Sequence, residues 1–197
     1  DFWHGLEEQF YENTGVRTLS NGWVRQPTVI ASKVPLRTVS DFKGIKLRTV
    51  SSKTTADVYN ALGFSSTPVA YSEVYLSLSQ GVIDATIATL DAQYTMGFYE
   101  NAPYITNYGN SCTNCATWIN GAKFDSMTQA QQEALIQACE EAAEWYTQES
   151  NALVSEYIEK MEANGAEFID LSQEDIATCN SILEELAQTY EANGEWP

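Results

Sequence analysis

The stretch from Thr128 to Asn164 constrains this chain more than any other segment, because it reads as one continuous helix interrupted only by its own end signals. Thr128 followed by Gln131 or Gln132 makes a cap, and Asn164-Gly165 makes a stop. A helix of these 37 residues is about 55 Å long, more than the width of a small domain. It is expected to span two lobes. With 197 residues, 44% of them hydrophobic, the chain has material for one well-buried domain or two small ones.

The half before that helix alternates strand and helix. Residues 1–14 read as the end of a helix, with Phe2, Leu6, Gln9, Phe10 and Asn13 near one face and a stop at Gly15. It opens abruptly, without a cap, as though cut from a longer element. Val24–Ala31 and Ile45–Val50 read as strands. Thr54–Leu62 reads as a helix, Ser65–Val69 as extended, Ser72–Gln80 as a helix ending at Gly81, and Val82–Ala88 as a buried strand. This order predicts an α/β layer with right-handed crossovers. Beyond it, Tyr94–Glu100 is expected to be helical, Tyr104–Asn120 extended with a loop, and Ser172–Asn193 a final helix.

The first ten residues, DFWHGLEEQF, have neither the basic start nor the apolar run of a secretion signal. Without an initiator Met, the chain is expected to be a mature or truncated product whose export signal lay upstream. The net charge of −17 argues against nucleic acid, whose phosphates need clustered Lys and Arg. The charge is unevenly placed: residues 1–100 hold 8 basic and 10 acidic side chains, residues 101–197 hold 2 and 17. Between residues 17 and 53 eight bases face one acid, Asp41. A small anion would be drawn to that segment, although each base taken singly reads as a solubilising surface group.

Hydrolytic, nucleotide-dependent and metal chemistry find little here. The only histidine is His4, so neither a Ser-His-Asp triad nor a His-rich metal site can be completed, and GxSxG, P-loop and GxGxxG motifs are absent. Neither a metal nor another cofactor is expected. Of the four cysteines, Cys112 and Cys115 form a CxxC in an Asn- and Gly-rich loop, while Cys139 and Cys179 stand apart. A structural disulfide between Cys112 and Cys115, or plain buried thiols, is preferred to zinc or redox chemistry. Glu73 at a helix start is read as serving the macrodipole, and Asp84 at a strand end as capping a turn.

Three ordered blocks go further. PLRTVSDFKGIKLRT (35–49), ALGFSSTPVAYSEVYLSLSQGVIDA (61–85) and FDSMTQAQQEAL (124–135) resemble the DctP-like family, the extracytoplasmic solute-binding proteins of TRAP transporters, over residues 20–193. The resemblance implies a periplasmic-binding-protein-like (type II) two-lobe α/β fold with a long lobe-spanning helix. It also implies incompleteness, with about the first hundred residues of the family absent. Residues 1–24 would end the first lobe, 25–112 form the second, ligand-binding lobe, and 113–197 return to the first with the spanning and C-terminal helices.

The resemblance also implies a site. Arg48, in GIKLR, falls on the family arginine that pairs with a ligand carboxylate; a guanidinium offers a two-pronged donor set, and no acid lies near it in sequence. Arg25, after Trp23, resembles a second cleft arginine. Tyr71 falls where an aromatic packs over the solute, with Trp23, Tyr94 and Trp118 as further lining candidates. The family commonly follows GVxD with Gly and a polar stretch ending in a ligand-contacting Asn. Here Asp84 precedes Ala85-Thr-Ile-Ala88-Thr, so that contact is either missing or shifted to Thr86 or Thr89, which favours a smaller or more apolar carboxylate.

The expected function is capture of a small organic carboxylate outside the cytoplasm, without catalysis, for delivery to the membrane permease subunits of a TRAP transporter. The expected location is periplasmic or extracellular, with a lipid anchor upstream of residue 1 as one form of attachment. Two alternatives stand beside it, a ligand-sensing extracytoplasmic domain and a thiol-redox protein using the CxxC. A truncated first lobe would expose sheet edges and favour self-association.

Overall fold

The computed structural model describes residues 2–109 and 112–195, and side chains from residue 6 onward except that of Cys112. Along the chain, α1 (Phe2–Thr14) leads into β1 (Val16–Ser32), β2 (Lys46–Thr49), α2 (Lys53–Ala61) and β3 (Ser65–Pro68). Next come α3 (Val74–Gln80), β4 (Ala85–Thr89), α4 (Leu90–Thr95), α5 (Phe98–Asn101), β5 (Tyr104–Asn107) and β6 (Cys112–Asn120). Then follow α6 (Gly121–Asp125), α7 (Gln129–Ala152), α8 (Val154–Ala163), β7 (Glu167–Asp170) and α9 (Gln173–Ala192). The expected alternation of strand and helix through the middle of the chain is present. β1 is about twice its expected length, β7 and α6 were not expected, and the helix expected over Tyr94–Glu100 is two short ones parted at Gly97.

The chain divides into two compact units, Asp1–Gln26 with Cys112–Val154, and Pro27–Ser111 with Ser155–Pro197. The boundaries fall after Gln26, Ser111 and Val154. The third corrects the expectation that all of 113–197 returns to the first lobe, because residues 155–197 build onto the second unit. The reason is hydrogen bonding and packing: β7 pairs in parallel with β5 from Tyr104↔Glu167 to Asn107↔Asp170, and Leu171 and Cys179 enter that unit's core. The amide of Val39 also donates to Asp175 Oδ1 at 3.0 Å, tying the start of α9 to the turn before β2.

In the second unit the strand order is β3-β2-β4-β1-β5-β7. β2 runs parallel to β3 and β4, as the crossovers through α2 and α3 require, while β1 is antiparallel to both β4 and β5. Alternation gives the sheet two faces. Leu47, its partner Ala85 and Ile30 join Leu36, Phe42, Leu62 and Phe64 in the core, with the Phe42 and Phe64 rings stacked at 4.5 Å. Tyr59 of α2 and Ile176, Ile182 and Leu183 of α9 cover this core. Arg48, one residue on from Leu47, therefore points to the opposite face.

The first unit is built on the front half of β1, which pairs β6, and on α7. Tyr146 packs against Trp23 with ring centroids 5.4 Å apart and planes tilted by 49°, and the Thr147 hydroxyl accepts from the Val24 amide at 3.1 Å. Thr128 and Gln131 cap α7 reciprocally, as the sequence implied. The helix expected over 128–164 is, however, two: α7 ends at Ala152, Leu153 forms a tight turn in which its amide bonds Ser150 O at 3.3 Å, and α8 begins at Val154.

Candidate functional site

The arginine singled out by the sequence is the chemical centre of the second unit. Arg48 is 7% exposed, and its Nε donates to the carbonyl of Val69 at 2.9 Å. That bond occupies one edge of the guanidinium and leaves the paired Nη groups as the fork that a carboxylate fits. Among the described residues no carboxylate pairs with Arg48. Burial pulls its pKa below the ordinary arginine value, with Tyr71 opposing the shift; a guanidinium nonetheless stays cationic in a protein. A buried cation without an anionic partner is costly unless one arrives from outside.

Local structure explains how the site is held. Val69 follows β3 and returns a bond from its own amide to Thr49 O at 3.2 Å, so the carbonyl that grips Arg48 is fixed to the same sheet. Tyr71 sits in the turn before α3, with its ring centroid 5.6 Å from the guanidinium carbon. Phe98 backs that ring edge-on at 5.7 Å. Tyr71 thus bridges the buried cation and solvent, since it is itself well exposed.

Thr86 is the register partner of Arg48 across β2 and β4. It is 0% exposed, and its Oγ1 has no hydrogen-bond partner among the described residues. Leaving a buried hydroxyl unpaired costs about 1–3 kcal/mol. Thr89, three residues on, falls on the opposite face of β4 and precedes α4 as its N-cap residue. The register therefore brings Thr86, and not Thr89, beside Arg48.

The remaining candidates lie elsewhere. Tyr94 is held in an aromatic stack, 5.1 Å from Tyr157 and 6.0 Å from Tyr99, with Lys160 Nζ 5.5 Å from its ring; this docks α8 on α4. Trp23 and half-buried Arg25 belong to the first unit, where the Trp23 indole N–H is buried without a described partner. Trp118, also in the first unit, lies 5.9 Å from Phe10. Asp84 Oδ2 accepts from the Lys46 amide at 3.1 Å, which is a structural pairing. The side chain of His4 lies outside the described residues.

The expected Cys112–Cys115 disulfide is corrected. Both residues lie on β6, and three extended residues separate their Cα atoms by about 10 Å, beyond the roughly 7 Å that a disulfide spans. Cys115 is exposed and unbridged, and half-buried Cys139 and buried Cys179 are unbridged too; the Cys112 side chain is outside the described residues. Among the described residues no group of His, Cys, Asp and Glu is placed to hold a metal ion, and no helix is long and apolar enough to cross a membrane.

One polar residue was missed. Gln93 of α4 is fully buried; its Nε2 donates to Val29 O at 3.1 Å and its Oε1 has no described partner. A glutamine on the inward face of a short helix, after Leu90 and Ala92, was the available signal.

Known proteins give this geometry a setting. The 2,3-diketo-L-gulonate-binding periplasmic protein YiaO of Escherichia coli K12 is 28% identical over 137 residues, 68% of this chain and 41% of that protein. The sialic acid-binding periplasmic protein SiaP of Vibrio cholerae serotype O1 is 23% identical over 193 residues, 98% of this chain and 59% of its own length. The crystal structure of a TRAP periplasmic solute-binding protein from Roseobacter denitrificans with bound L-galactonate aligns with a TM-score of 0.77 at 25% identity, covering 93% of this chain and 61% of that one. The chain thus spans about half the length of the curated relatives it matches, and its mixed α/β fold is that of TRAP solute-binding proteins. Residues 1–193 match the family described as bacterial extracellular solute-binding protein, family 7 (DctP), and the chain belongs to that family.

Proposed function

We propose that this chain is the carboxylate-binding portion of a TRAP-type extracytoplasmic solute-binding protein, which captures a small organic acid for membrane permease subunits and makes or breaks no bond. The observation that carries the reading is Arg48, a buried guanidinium whose Nη fork is unclaimed and which has no acid beside it among the described residues. An ionised ligand carboxylate supplies the missing charge and both acceptors. Thr86, with an unpartnered hydroxyl in register with Arg48, is the second ligand contact, and the Tyr71 ring covers the cation. The ligands in the names and titles of the three compared proteins, 2,3-diketo-L-gulonate, sialic acid and L-galactonate, are acids. The site of action is outside the cytoplasm.

Isothermal titration and thermal unfolding of the chain against acid sugars, 2-oxo acids, hydroxy acids and dicarboxylates test this. A true ligand at 100 times its dissociation constant stabilises by about 2.7 kcal/mol, a shift of several degrees. The shift disappears in Arg48→Ala if the reading holds. Binding that survives Arg48→Ala, or a preference for uncharged analogues, overturns it.

A further inference from the structure

The stretch from Ala122 to Asn164 contains neither glycine nor proline, yet the long helix breaks at Leu153. Sharp breaks arise at proline, at glycine, at π-bulges, or where a side chain inserts into the i→i−4 ladder. A side chain is there. Gln26 is 1% exposed, and its Nε2 donates to the carbonyl of Ser150 at 2.5 Å. The same carbonyl receives the Leu153 amide in a tightened i→i+3 bond at 3.3 Å. A carbonyl only accepts, so the amide group, and not the oxygen, of Gln26 must face it.

The placement of Gln26 follows from how β1 meets α7. Alternate residues of the strand bond to Thr147 and then to Ser150 of the helix. Gly22 and Val24 share the Thr147 hydroxyl, which accepts from the Val24 amide and lies 3.2 Å from Gly22 O. Gln26 comes next and reaches Ser150. We infer that Gln26 is the residue that breaks this helix, by drawing the Ser150 carbonyl toward β1 and out of the α-helical ladder. The break stands beside the boundary at Val154–Ser155, and Gln26 itself is the last residue before the boundary at Pro27. One side-chain amide thus links the two points where the chain leaves the first unit. The inference does not depend on what ligand is bound.

The test is nuclear magnetic resonance of the labelled full chain, comparing the wild type with Gln26→Met, similar in length without polar atoms, and Gln26→Glu, which can reach Ser150 but donates nothing when ionised. In both variants the backbone shifts of Leu153 move to match its helical neighbours on either side, and amide exchange at Val154 slows at least tenfold. A folded Gln26→Met whose shifts and exchange there match the wild type overturns the proposal. Should neither variant fold, the unaltered chain decides. Cross-relaxation from the Gln26 side-chain amide protons to the Leu153 amide, with slowed exchange of one of those protons, is expected, and its absence overturns the assignment.

Discussion

Arg48 and Thr86 stand opposite one another across the parallel pair β2–β4. One is a buried guanidinium whose described hydrogen bond goes to a backbone carbonyl, the other a buried hydroxyl with no described partner. Both are left incomplete by the protein, which separates their effects on binding from their effects on folding.

For Arg48 the two effects have opposite sign. Arg48→Met keeps most of the side-chain volume while removing the unpaired charge, and replacing a buried charge by apolar volume is often neutral or stabilising. The unliganded melting temperature is expected to hold or rise. Affinity for the acid ligand is expected to fall at least 30-fold, about 2 kcal/mol. Calorimetry on the same samples reads both, and a variant that loses stability while keeping affinity contradicts the assignment.

Thr86→Val is nearly isosteric and removes a hydroxyl that has no partner. Without ligand, denaturant unfolding is expected to show no loss, or a gain of up to about 1 kcal/mol. Ligand affinity is expected to drop roughly fivefold, about 1 kcal/mol, the worth of one hydrogen bond. The same substitution at Thr89, on the other face of β4, is expected to leave affinity unchanged.

Acid sensitivity is expected where α9 meets α2. Lys53 Nζ lies 2.7 Å from Asp57 and 3.3 Å from Glu195, and the Tyr190 hydroxyl donates to Asp57. The hydrogen bond from Lys53, and next that from Tyr190, hold the Asp57 carboxyl below its ordinary value. A lowered carboxyl pKa contributes stability that is complete above the unfolded value near 4 and is lost as pH falls through the folded one. Lys53 is raised, chiefly by Asp57, so its contribution is complete below the ordinary lysine value and fades above it. Denaturant unfolding of Asp57→Asn against wild type is expected to show a difference at pH 7 that shrinks between about pH 5 and pH 3. A gap constant over that range contradicts the pairing.

Gly121 marks a close approach of backbones in the first unit. Its amide donates to Gly15 O at 2.8 Å, and an added Cβ would meet that oxygen at 2.8 Å as well as the Tyr11 ring. Gly121→Ala is expected to destabilise by about 1–3 kcal/mol, as overpacking does. Thermal unfolding reads the loss.

The cysteines order themselves by exposure. Cys115 is exposed, Cys139 half-buried and Cys179 buried, with burial raising the Cys179 pKa. Alkylation under native, non-reducing conditions followed by peptide mass spectrometry is expected to label Cys115 first and Cys179 last. A Cys115 that labels only after reduction contradicts the strand geometry of β6.

Much of this protein was legible because its signals are local. The Thr128–Gln131 cap, the stop at Gly81 and the strand–helix alternation through Thr89 depend on residues a few positions apart, so the chain states them directly. Arg48 was legible because the GIKLR segment resembles the family block that carries an arginine. What surrounds Arg48 was not. The Val69 carbonyl has no side-chain signature, and the choice of Thr86 over Thr89 is a matter of register across β2 and β4.

The long helix shows the same division from the other side. By propensity, residues 129–163 make one helix, and nothing within them says otherwise. The break at Leu153 coincides with a hydrogen bond from a residue 124 positions away. The placement of residues 155–197 likewise follows from β7 finding an open edge of β5. Sequence by itself determined the strand–helix alternation through the middle of the chain and the cap of α7, because these are set by neighbours along the chain. Tertiary structure alone decided which face each side chain shares, where the helix breaks and which unit the last segment joins, because hydrogen bonds between distant segments make those choices.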